Sequence, residues 1–157
     1  MTSHKPRLLA LTILMTGLAA ACLQPVQAAD LPSVASPADS RKELATARRA
    51  IEKSDWPAAI RELQKALDRN ERQPEAHTLM GLALRKSGSP ERALKSYERA
   101  LQLDPRSEGA HEYMGEAYLM LHQPDQARAH LASLKQLCGE QCEAYRDLSL
   151  ALAAYKP

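Results

Sequence analysis

Apolar and polar positions follow two rhythms along this chain. From Leu8 to Leu23 no charged residue occurs. Beyond residue 40, small and apolar residues stand three or four apart, the spacing of one helical face, and the whole series then recurs at 34 residues. Reading from Pro74, the marked positions are Met80, Gly81, Leu84, Gly88, Ala93, Tyr97, Ala100 and a closing Pro105. The next set is Met114, Gly115, Tyr118, His122, Ala127, Leu131 and Leu134, with Gly139 in the closing place. A worn copy precedes them: Thr46, Ala47, Ala50, Ser54, Ala59, Leu63 and Ala66. The turn repeats too, as Ser89-Pro90-Glu91-Arg92-Ala93 and Gln123-Pro124-Asp125-Gln126-Ala127. Self-similarity at this period predicts stacked helical hairpins, an all-α architecture that usually binds other proteins.

The pattern predicts three helical pairs, at about 40–53 and 57–69, 74–87 and 90–103, and 108–121 and 124–137. Pro57, Pro90 and Pro124 fall in the first turn of each second helix, where a missing amide hydrogen costs nothing. A last apolar-periodic segment, about 141–155, carries Tyr145, Leu148, Leu152 and Tyr155 and is expected to cap the stack. Ahead of the repeats, residues 29–39 hold two prolines and little to bury, and read as a flexible lead-in.

The uncharged stretch changes the picture. His4, Lys5 and Arg7 form a basic start, Leu8–Leu23 is apolar, and Val26-Gln27-Ala28 offers a small-x-small cleavage site. Residues 1–28 therefore read as a signal peptide cut after Ala28, with a periplasmic or secreted destination. The alternative is a lipoprotein box, Leu18-Ala19-Ala20-Ala21-Cys22, with lipid attached at Cys22; only that reading gives the protein a membrane contact. Removal of the leader takes two basic residues and leaves 19 of each sign. A balanced chain with no basic stripe is a poor nucleic-acid binder, because that affinity comes mainly from neutralised phosphates.

Two cysteines survive cleavage, Cys138 and Cys142, and an even number in an exported chain suggests a disulfide. The plainer reading is a pair of small buried thiols. His77 and His111 stand 34 apart and suit packing better than metal binding, which needs three or four ligands. His130 with Cys138 and Cys142 is the better soft-metal group, short of a further ligand. Trp56 reads as a local staple at the first turn. Neither a glycine-rich phosphate loop, a GxSxG elbow nor an HExxH pair occurs, so neither an enzyme nor a cofactor or metal requirement is expected.

With these residues in place the chain resembles the tetratricopeptide-repeat family, and its last segment resembles the ends of small exported bacterial members. The resemblance implies an α-solenoid of three helix-turn-helix hairpins, 40–73 (degenerate), 74–107 and 108–141, plus a capping helix and tail at 142–157. It is strongest in 74–107, while Leu134 stands where alanine is usual and Glu71 where a proline closes the unit. In this family the first helix of each hairpin lines a concave groove that holds a peptide. The corresponding positions here are Arg41, Leu44, Arg48 and Ile51, then Thr78, Leu82 and Arg85, then Glu112, Glu116 and Leu119. That groove would run from basic to acidic and suit a protein or peptide segment of opposite charge at each end. The family's carboxylate clamp is not implied, since its positions hold Ala45, Arg48, Leu79, Leu82 and Arg85, with no asparagine. The implied function is a non-catalytic adaptor; the rival is a thiol-redox or metal-handling factor built on Cys138 and Cys142.

Overall fold

The turns between paired helices explain the architecture. Ser54, Gly88 and His122, 34 residues apart, all adopt positive φ, at 55°, 86° and 58°. At each, the following amide reaches back five residues, Asp55 to Ala50, Ser89 to Leu84 and Gln123 to Tyr118, at 2.8–2.9 Å. This is the left-handed helix stop, which satisfies carbonyls that the ending helix leaves open. The computed structural model describes residues 37–156, which form seven helices and, among the described residues, no strand. They are α1 (Pro37–Glu52), α2 (Trp56–Arg69), α3 (Pro74–Lys86), α4 (Pro90–Leu103), α5 (Glu108–Met120), α6 (Pro124–Cys138) and α7 (Glu143–Ala154). The leader, the cleavage site and Cys22 lie outside the described residues, as does most of the 29–39 lead-in. Helix α1 begins at Pro37, earlier than expected, because the prolyl ring suits a first turn.

Hairpins α1/α2, α3/α4 and α5/α6 stack in chain order, each second helix also packing on the next first helix. First helices touch one another side by side, α1 to α3 and α3 to α5, and α5 then meets α7. By contrast α2 and α4 do not meet. The first helices thus form the close inner row of a curved stack and the second helices its open outer row.

The core is made mostly of alanine. Ala76, Ala110 and Ala144 are buried at the same phase, as are Ala59, Ala93 and Ala127. Such small residues let helices approach within the short end of ordinary interaxial distances. Gly81 is the extreme case, since a Cβ there would overlap the buried Tyr97 ring. Gly115, one period on, is filled instead by Leu148 of α7, whose Cδ2 lies 2.5 Å from where a Cβ would stand. Leu134 is fully buried in a second apolar cluster with Leu148 and Ala127, which gives the departure from alanine its place.

Candidate functional site

The inner row gathers the groove residues, with unequal roles. Arg41 and Arg48 are exposed on α1, while Leu44 and Ile51 are half-buried against the core. On α3, Leu82 is half-buried but Thr78 is buried, its hydroxyl donating to the Pro74 carbonyl at 3.0 Å. Leu119 of α5 is buried as well. Thr78 and Leu119 therefore belong to the wall rather than to an open surface.

The expected run from basic to acidic is also altered. Arg48 pairs with Glu75 of α3, and Arg85 pairs with Glu116 of α5. Each cation of the middle groove is thus matched by a carboxylate on the next first helix. Arg85 is only 6% exposed and lies with its guanidinium carbon 5.7 Å from the Tyr113 ring centre. Tyr113 in turn sits 6.4 Å from the Tyr97 ring. Burial pushes the Tyr97 and Tyr113 hydroxyls to higher pKa, so both stay neutral. Sequence reading missed this network because a lone arginine at helical spacing looks like a solvated charge.

Two recesses remain open between α5 and α7. One, of about 290 Å³, is lined by Glu108, Glu112, Glu143 and Asp147 with Tyr113. Desolvation, then the charges of Glu116, Asp147 and Glu143, raise the Glu112 carboxyl from 4.5 to about 7. The other, of about 320 Å³, is walled by Leu119, Met120, Ala151, Ala154 and Tyr155 above the Arg85–Glu116 pair. Met120 is 48% exposed at its mouth.

At the far end of α6 the sulfurs of Cys138 and Cys142 lie 2.07 Å apart, at bonding distance, with alpha carbons at 5.8 Å. The third ligand atom near them belongs to Glu108, not to His130. His130 is instead paired with His111, their Nδ1 atoms 3.0 Å apart, and stacks on Tyr118 at 5.7 Å between ring centres. Burial and then His111 lower the His130 pKa to about 4. His77 and His111 do the same work one period apart: each ring Nε2 contacts a carbonyl six residues back, Glu71 at 2.8 Å and Pro105 at 3.2 Å. Trp56 opens α2 and packs half-buried on the first core cluster. Among the described residues no helix is long and apolar enough to cross a membrane.

The stack of antiparallel pairs, with glycine and alanine notches in phase, defines an all-α helical-hairpin repeat protein. Tetratricopeptide-repeat family models match residues 44–108 and 84–152, so the chain belongs to the tetratricopeptide-repeat family. No curated protein matches the sequence. Solved structures share its fold. The TPR2B domain of yeast Sti1 in its pHsp70 complex is 18% identical, over 74% of this chain and 94% of that one, with a TM-score of 0.69. The Sgt2 TPR domain from Aspergillus fumigatus is 22% identical, over 77% and 82%, with a TM-score of 0.69. The translocator chaperone SycD of Yersinia enterocolitica type III secretion is 15% identical, over 76% and 90%, with a TM-score of 0.67.

Proposed function

We propose that this chain is an exported, non-catalytic interaction module that holds a segment of a partner protein along its inner row. Export is read from the basic start and apolar run at residues 1–28. Its family supports an interaction role, and the Sti1 domain similar to it is seen in a complex with pHsp70. The observation that carries the reading is the pairing of two recesses between α5 and α7. A carboxylate-lined notch sits at the N-terminal ends of the two helices and an apolar notch at their C-terminal ends. A segment with a lysine or arginine close to an apolar side chain would fill both. Exposed Arg41 leaves the α1 end cationic, which favours a segment acidic at its opposite end.

Arg48 and Glu116 are poor probes of this groove, since changing either breaks an ion pair within the stack. Glu108 and Asp147 line the notch without such a partner among the described residues. Partners captured by cross-linking in the bacterial envelope should fall about tenfold with Glu108→Lys plus Asp147→Lys. Undiminished capture would exclude the inner row. The Cys138–Cys142 pair we take as a structural clamp where α6 joins α7, contributing near the low end of ~2–4 kcal/mol because its loop is short.

The rival reading, metal handling, gains one point from Glu108 beside the two sulfurs. Thiolates bind soft metals and oxidised sulfurs do not. Zinc retained by the reduced protein through gel filtration would favour it. Lipid attachment at Cys22 would tether the same module to a membrane, and the intact mass of the mature protein decides between the two ends.

A further inference from the structure

A wider recess lies on the opposite side of the stack, in the gap where α2 and α4 fail to meet. It is an open groove of about 930 Å³. Its floor is mostly apolar, with Ile60 and Leu67 of α2, Met80 and Leu84 of α3, and the half-buried His77 of α3 beside them. Its rim is cationic, with Arg69, Arg72, Arg92, Lys95 and Arg99 against the carboxylates Asp68 and Glu71. Arg69 is engaged by Glu43 at 2.7 Å, but among the described residues Arg72, Arg92 and Lys95 pair with no carboxylate. Arg92 and Lys95 line it from α4 and Arg72 from the loop at its end, so their fields add over its mouth.

We propose that this outer groove docks an acidic amphipathic helix of a partner protein, apolar face down and carboxylates against the rim. Both flanking helices have 14 residues. The groove is lined by α2 from Ile60 to Arg69 and by α4 from Arg92 to Arg99, about 12–15 Å, enough for about two to three turns of a third helix laid alongside them. A helix presents apolar residues three and four apart along one face, which matches a floor set by Ile60, Leu67, Met80 and Leu84. Other anionic occupants fit less well. A flat membrane surface cannot reach a recessed floor, and a nucleic acid would leave the apolar floor unfilled. A second copy would need an exposed acidic ridge, whereas the acidic residues of the inner row line a notch.

The test uses the full chain and a fluorescein-labelled 16-residue helical peptide with glutamates on one face and leucines on the other. Binding is expected at about 10–50 µM in 50 mM salt, weakening at least threefold at 300 mM as the rim charges are screened. Arg92→Glu plus Lys95→Glu should weaken it about tenfold or more with unchanged helical circular dichroism. Loop variant Arg72→Ser supplies a second, milder loss. Asp147→Lys should leave this affinity intact, which separates the outer groove from the inner-row reading. Several results would each overturn the proposal: equal binding by the Arg92/Lys95 variant, equal binding by a same-charge peptide with its leucines scattered, tighter competition by a heparin fragment or anionic vesicles, or dimerisation of the chain that blocks the peptide.

Discussion

At the scale of single residues the hairpin turns are the most instructive positions. Gly88 takes its positive φ without cost, whereas Ser54 and His122 hold the same region with a side chain attached. A non-glycine residue there is strained by ~1–2 kcal/mol, partly offset by its smaller entropy loss on folding. Ser54→Gly should therefore raise stability by up to ~1 kcal/mol. Gly88→Ala, with open space around its alpha carbon, should lower it by about 1 kcal/mol through backbone strain alone. Urea midpoints of the two variants check both signs. The sequence shows Gly88 as a turn, and the 34-residue phase then marks Ser54 and His122 as its equivalents. What it hides is the price of ion pairing: nothing in the letters Arg85 and Glu116 says that one is buried and the other completes it.

At the scale of elements, α7 is more than a lid. Ala144 and Leu148 stand one period beyond Ala110 and Met114, and α7 packs on α5 as α5 packs on α3. It is the first helix of a fourth unit by phase as well as by position. That phase is legible in Ala76, Ala110 and Ala144, which stand 34 residues apart. Leu148 is fully buried against Gly115, so Leu148→Ala should cost about 2–5 kcal/mol and expose the second apolar cluster. Thermal melting would register the loss. A change below about 1 kcal/mol would mean that α7 merely covers the stack. Helix limits came out within about three residues of the pattern because caps and prolines set them, Asp55 accepting from the Ala58 amide at 3.0 Å, for example.

At the scale of the whole molecule, charge and protonation decide behaviour that no single helix fixes. Glu112, raised to about 7, contributes stability that is full below about 4.5 and lost as pH rises through 7. His130, lowered to about 4, has the opposite sign: its contribution is full above about 6.5 and lost as pH falls through 4. The two oppose each other across mildly acidic pH. Glu112→Gln should therefore gain on the wild type as pH rises from about 4.5 to 7.5, and His130→Gln should gain as pH falls over the same span. Urea titrations at three pH values measure both slopes. Neither shift can be read from sequence, because each arises first from burial in the folded stack, joined by Glu116, Asp147 and Glu143 for one and by His111 for the other. The architecture was legible and the electrostatics were not. One last consequence concerns the gap between α2 and α4. Neighbours that touch along one row and stand apart along the other make that inner seam a pivot and the outer row a lever. An occupant that forced the outer opening wider would bend the pivot, and by thermodynamic reciprocity a guest on the inner seam would then feel its arrival by the same factor.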